Sequence, residues 1–310
     1  MFPAMVGHAV RMLIRTHRPA DADARVALKS EAYPHELLNV AGMHAGTVPP
    51  PELRYLGVVA EVDGRVVGEG ALRIEVMDRT TALETISVAP DSRRKGVGSA
   101  IHAVLLKHLA TLDVSRLKTQ VTTPEGRAFA ERDGFTAGRV WRISSVDPRL
   151  APPVPRIPDG IELKPLAAVA DLAALYALYQ ACGTDMPGNT DRPGFPYEDW
   201  LRFSVNSPLA DRDCSIVAYD GGAPVAFTFI NSSDVRASNS LAGTARPHRG
   251  RGLATLVKTV SLHKAAAKGI TRAYTANSED NAPMLAVNTR LGYTPALEEV
   301  SMTRPAAESA

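Results

Sequence analysis

The chain carries one motif twice. TALETISVAPDSRRKGVGSAIHAVLLKHL (Thr81 to Leu109) and SNSLAGTARPHRGRGLATLVKTVSLHKAA (Ser238 to Ala266) each read as a strand, a basic glycine loop and the start of a helix, about half the chain apart. A repeat at that spacing calls for two copies of one supersecondary arrangement, and so for two domains of one kind. The 310 residues are about two ordinary domains long, and 45% hydrophobic content suffices for two packed cores.

The loops are Arg93-Arg94-Lys95-Gly96-Val97-Gly98 and Arg249-Gly250-Arg251-Gly252-Leu253-Ala254, with the shared pattern R-x-x-G-x-[GA]. Small residues let the backbone wrap closely round a ligand, several N–H groups converge, and the helix that follows adds its positive end. Pyrophosphate is the natural occupant, and the arginines and Lys95 supply charge-assisted bonds to it or to a further phosphate at the rim. Val88 and Ser99 flank the first loop and Thr244 precedes the second, so they join the expected binding set. Neither loop is G-x-x-x-x-G-K-[ST], and neither supplies G-x-G-x-x-G after the first strand of a βαβ unit. P-loop and dinucleotide cradles are therefore excluded.

Net charge is +2, with acids and bases interleaved, so no nucleic-acid partner is expected. Cys182 and Cys214 belong to no CxxC or Cys/His cluster, so they read as structural thiols, and no metal site is expected. His8, Arg11 and Arg15 interrupt the apolar letters at the start, so the expectation is no membrane partner and a cytoplasmic protein.

Asp147 to Gly160, DPRLAPPVPRIPDG, holds five prolines, which favour a stiff extended connector. The expected domains are residues 1–147 and 161–310, joined by a linker over 148–160. In the first, a strand near Val10 to Arg15 precedes a helix opened by Pro19, and two strands turn at Asp63-Gly64, a type I′ signal. TALETISVA is a strand, Ser99 to Leu112 a helix, RLKTQV a strand, and PEGRAFAERDGF a helix closing at Gly134. The second half repeats the order, with a hairpin at Gly221-Gly222, a helix over Leu253 to Lys268 and a last strand through Leu297 to Met302. Each half thus combines an antiparallel hairpin with β-α-β crossovers: an α+β architecture in two tandem domains, each a mixed, mostly antiparallel sheet flanked by helices.

Val88-Ala89-Pro90-Asp91-Ser92-Arg93-Arg94-Lys95-Gly96-Val97-Gly98 resembles the acetyl-CoA pyrophosphate motif of the GNAT N-acetyltransferase superfamily, and Thr244 to Ala254 is similar to it. TANSEDNAPMLAVNTRLGY, Thr275 to Tyr293, resembles the family's asparagine-rich ending, of which the first half keeps only Gly134-Phe135. The resemblance implies a tandem GNAT protein of bacterial type. It also implies acetyl-CoA as co-substrate, lying against a splayed strand pair with its thioester carbonyl on backbone N–H groups, an arrangement worth about 10² to 10³ in rate. The family's usual tyrosine, four residues before the terminal Gly-[FY], is replaced by Ala130 and Asn288.

An amine acceptor with a pKa of ~10.4 costs about 4.6 kcal/mol to deprotonate at pH 7, so a base or a water relay is useful. Glu84, on the strand before the first loop, is the candidate base; the matching position of the second half holds Ser240. Asn288 is a candidate to hold the thiolate or pantetheine, with Tyr293 or Tyr274 as alternative proton donors. Asn277 and Asn281 either cap the last helix or bond the pantetheine amides. Asp185, Asp191, Glu198 and Asp199 lie where the family covers its acceptor groove, and either attract a cationic amine or form a solvated loop. His248 and His263 read as surface residues without partners.

The expected activity is acetyl transfer to an amine of a small molecule or peptide by direct attack, catalysed by the C-terminal domain, in a monomer or homodimer. A CoA-binding sensor with degenerate catalytic groups is the alternative. O- or S-acyl transfer would use the same donor site.

Overall fold

The computed structural model describes residues 12–38, 49–76, 78–185 and 195–306. They fall into two compact units. The first takes the described residues through Pro34, those on to Gly138 and those from Ser301; the second takes the short segment from His35 and Arg139–Val300.

In the first unit, β1 (Met12–Thr16), β2 (Leu56–Val62), β3 (Arg65–Ile74) and β4 (Thr81–Val88) pair antiparallel in that order, and β5 (Arg116–Val121) joins β4 in parallel. The hairpin between β2 and β3 turns at Asp63 and Gly64, whose φ values of 50° and 79° are the left-handed pair that a type I′ turn requires. Helix α1 (Ala22–Ala32) places Arg25 against Glu69 on one face of β3. Helix α2 (Val97–Leu109) covers the other face. There a Cβ on Gly68 or Gly70 would strike Ile101 at 3.0 or 2.3 Å, so only glycine admits the helix this close. Helix α3 (Pro124–Arg132) starts on a Thr123 side-chain cap and is followed by β6 (Thr136–Val146). The sequence reading has no strand at β6, because its first half is exposed and carries Gly138 and Arg139, which blurs the period-two alternation.

The second unit repeats the plan. β7 (Ile161–Pro165), β8 (Ile216–Asp220), β9 (Ala223–Ser233) and β10 (Arg236–Thr244) pair antiparallel, β11 (Arg272–Ser278) runs parallel to β10, and β6 lies antiparallel to β11. Helices α4 (Leu172–Gly183) and α5 (Tyr197–Trp200) cover one face, with Leu175, Leu178, Trp200, Phe227 and Phe229 as the core. Helices α6 (Leu253–Ala267) and α7 (Ala282–Arg290) cover the other, over Ile230, Ala237, Ala273 and Leu291. Each large apolar side chain so buried contributes roughly 1.5–3 kcal/mol. The last strand, β12, spans Thr294–Pro305. The mixed, mostly antiparallel α+β architecture read from the repeat is the one observed.

Candidate functional site

Both loops take the same backbone path. Gly96 and Gly252, immediately before α2 and α6, have φ of 83° and 77°, a left-handed conformation that any side chain would strain. A Cβ built on Gly96, Gly250 or Gly252 meets nothing within 4 Å. Each loop therefore leaves room beside its backbone at the positive end of a helix, which fits the phosphates of a CoA-type substrate. Val97 and Leu253 are buried and anchor the two helix starts, whereas Ser99 is exposed and Gly98 and Ala254 are half-buried. Thr244, at the end of β10, has a buried Oγ1 without a hydrogen-bond partner among the described residues.

The loop arginines differ in their engagements. Arg93 Nε donates to Val88 O (3.0 Å) and its Nη2 to Glu31 (2.7 Å). Arg249 Nε likewise donates to Thr244 O (3.1 Å), and its Nη2 to Asp185, which also takes Arg246. The first arginine of each motif thus braces the loop against the preceding strand. Asp185, a candidate for drawing a cationic amine, is instead neutralised by Arg246 and Arg249, which hold its carboxyl well below the usual range. Arg251 pairs with Asp220 (2.8 Å), which also lies 3.4 Å from His248; His263 bonds Pro152 O (2.9 Å), so neither histidine lacks a partner. Arg94 and Lys95 are exposed and have no ion pair among the described residues. Asp191 lies outside the described residues; Glu198 and Asp199 sit on α5.

Each unit has a splayed strand pair next to its loop. The β4–β5 ladder runs only from Thr81↔Arg116 to Glu84↔Thr119, and the β10–β11 ladder only from Arg236↔Arg272 to Asn239↔Thr275. Beyond these points the facing backbone edges have no strand partner, which suits them to bond a ligand. The units differ at the next residue. In β10 the register with β9 slips between Asn239 and Leu241, so Ser240 is an inserted bulge residue, whereas β4 pairs with β3 without a break. A bulge bends a strand and re-aims its groups. It also makes Asn239, not Ser240, the positional counterpart of Glu84.

At the base of each splay a side chain of the helix is buried, six residues after the loop glycine. In the first unit it is His102. Its Nδ1 lies 2.7 Å from Glu84 Oε1 and its Nε2 2.8 Å from Asp133, which also pairs with Arg304. Burial opposes the charge on His102, but the bonds to Glu84 and Asp133 outweigh it and raise the imidazole pKa. Glu84, the candidate base, is thus 3% exposed and engaged with His102.

In the second unit the residue is Lys258, 2% exposed. Its Nζ donates to Asn239 Oδ1 (3.1 Å) and Asn288 Oδ1 (2.7 Å) and stands 5.4 Å from the centre of the Tyr293 ring. Asn288 Nδ2 in turn donates to Asn277 Oδ1 (2.6 Å), and Asn239 Nδ2 to Thr228 Oγ1 (2.6 Å). Burial pushes the Lys258 pKa down to about 7 and raises that of the Tyr293 hydroxyl. Asn288 and Tyr293 are therefore brought together with Asn277, whereas Asn281 stands apart: its Oδ1 accepts from Met284 N–H as the cap of α7. Tyr274 is also buried. The sequence reading missed Lys258. The available signal was its helical face, shared with Leu262 and Ala265 rather than with exposed residues.

Burial pushes the Cys182 and Cys214 thiols up to about 11 and about 12, so both stay protonated near neutral pH. Among the described residues one trio, His35, Glu36 and Glu299, has ligand atoms within 4.8 Å of one another, and His35 Nε2 bonds Glu299 at 3.0 Å. No helix of the described residues is long and apolar enough to cross a membrane.

The Acetyltransferase (GNAT) family model matches residues 23–135 and 172–293, one stretch in each half. The chain is 27% identical over 285 residues to a mycothiol acetyltransferase of Nocardia farcinica, with 86% of this chain and 91% of that one covered. It is 26% identical over 275 residues to a mycothiol acetyltransferase of Parafrankia sp., with 80% and 83% covered. A solved tandem GNAT protein from the clavulanic acid biosynthesis pathway shares the fold, at a TM-score of 0.75 and 22% identity over 97% of this chain and 100% of that one. With the repeated loop, the two splayed sheets and a family match in each half, the chain belongs to the acetyltransferase (GNAT) family, as a tandem member and an acyltransferase of the GNAT type.

Proposed function

We propose that this protein transfers the acetyl group of acetyl-CoA to a primary amine of a small molecule, and that the second unit performs the transfer. The observation that carries the choice of unit is the bulge at Ser240 beside a splay that ends on Asn277, in place of the closed Glu84–His102–Asp133 set of the first unit. In this reading the loop from Arg249 to Ala254 takes the phosphates, and the freed backbone of β10 beyond Asn239 takes the thioester carbonyl. The amine nitrogen attacks that carbonyl carbon, the C–S bond breaks as the C–N bond forms, and CoA leaves as thiolate. A thiol of pKa ~8.5 leaves readily, so no tyrosine donor is required. The proton lost by the amine passes to water, since Glu84 is engaged in the other unit and the second unit has no carboxylate on β10.

The partly buried rings of Tyr176, Tyr179 and Tyr197, on the α4 and α5 face of the sheet, suit an acceptor with a ring face. Because two relatives are mycothiol acetyltransferases, the acceptor of those enzymes is the first to assay. CoA release measured across a panel of amines tests the proposal. Tight acetyl-CoA binding without release on any amine would replace it with the sensor reading.

A further inference from the structure

Lys258 is buried in the second turn of α6, and it contacts a row of side-chain amides that ends at the splay. An amide carries an acceptor at one end and a donor at the other, and its direction is set by its neighbours. A lysine head group offers hydrogens. Both of the oxygens it meets here are amide oxygens, Asn239 Oδ1 at 3.1 Å and Asn288 Oδ1 at 2.7 Å, and the Tyr293 ring covers its remaining side.

With its oxygen held by Lys258, Asn288 must turn its Nδ2 outward, and that Nδ2 donates to Asn277 Oδ1 at 2.6 Å. Asn277 is then fixed in turn: its oxygen is occupied, and its Nδ2 has no hydrogen-bond partner among the described residues. Asn277 lies two residues beyond Thr275, the last residue of β11 paired with β10, and it is half-buried on the sheet face that α6 and α7 cover. Asn277 thus stands on the stretch of β11 that has left its pairing with β10.

We infer that Lys258 is a positioning residue which, through Asn288, holds the Asn277 amide with its N–H₂ toward the splay, where it donates to a carbonyl oxygen of the acyl-CoA arm. This rests on the reading that the second unit binds acetyl-CoA. Among the described residues the first unit has no such relay. His102 there ends on two carboxylates, which accept hydrogen bonds and pass no donor onward.

The decisive variant is N288D. A carboxylate still accepts from Lys258, so the fold keeps its buried contact, but it cannot donate to Asn277, whose amide must then turn its oxygen to the ligand. The KM for acetyl-CoA is expected to rise about ten-fold, the equivalent of one hydrogen bond of ~1.4 kcal/mol, with no fall in melting temperature. N277D, which removes the donor itself at a half-buried position, is expected to give a rise of the same size. K258M, close in volume, frees Asn288 to flip and is expected to raise KM several-fold. If N288D or N277D folds and keeps the wild-type KM, or if both raise it while K258M does not, the inference is wrong. Failure of the underlying reading looks different: the wild-type protein itself would then bind no acetyl-CoA, or G252E would leave its binding unchanged.

Discussion

Six residues beyond the loop glycine, the two units place different basic side chains in the same buried position, and the contrast separates their chemistry. His102 is clamped between Glu84 and Asp133, an ionic set whose members satisfy one another and seal the base of the splay. Lys258 meets only amide oxygens, and its bonds continue through Asn288 to Asn277 at the edge of the open strands. The loops are contrasted in the opposite sense. Arg94 and Lys95 of the first unit are exposed without ion pairs among the described residues, while Arg249 and Arg251 of the second are braced by Asp185 and Asp220. One unit has the freer charge on its loop, and the other has a chain of amides at the edge of its splay.

The largest expected effect comes from the loops. G252E sets a carboxylate where phosphate should lie, and acetyl transfer is expected to fall at least about a hundred-fold, whereas G96E should remove one equivalent of bound acetyl-CoA in a calorimetric titration and cost far less activity. The reverse result would assign catalysis to the first unit.

Next comes stability. H102A leaves Glu84 buried without its partner and should cost roughly 3 kcal/mol in urea unfolding. K258M removes a buried amine whose charge burial disfavours, and should cost less, or stabilise, at pH 7. Equal losses in the two variants would mean that the two positions are not the different environments described.

The pH dependence should then run in opposite directions. The folded-state pKa of His102 is raised, so between its ordinary value and the raised one the folded state holds a proton that the unfolded chain lacks. Stability from this group falls as pH rises through that window. For Lys258 the folded value is about 7, against 10.5 for the free side chain, so from pH 7 upward the unfolded chain holds the extra proton and stability from this group rises with pH. Comparing H102N and K258M with the wild type over pH 6 to 10 isolates each slope, and slopes of one sign would refute the contrast.

The smallest effect concerns a place where the units agree. Thr123 and Asn281 cap α3 and α7 through Gly126 N–H and Met284 N–H, so T123A and N281A should each cost about 1 kcal/mol. If N281A weakens acetyl-CoA binding by more than that loss explains, Asn281 touches the ligand as well.

Much of this was legible in the sequence, for reasons that are local. The Asp63-Gly64 and Gly221-Gly222 turns need left-handed backbone, which these residues tolerate, and all four have positive φ. The glycine loops before α2 and α6 were legible on the same ground, and their repetition disclosed the tandem architecture and the family. The strand β6 was not, because its exposed end lacks alternation.

What only the tertiary structure decided is the make-up of the splay. Aligning the repeats by their glycines sets Ser240 opposite Glu84, but the bulge inserts Ser240 and puts Asn239 in that place, against the buried helix residue. A bulge is a matter of register between β9 and β10, which no local pattern encodes. Lys258 was hidden for a related reason: a lysine in an amphipathic helix reads as solvated until the partners from β10 and α7 that permit its burial converge on it.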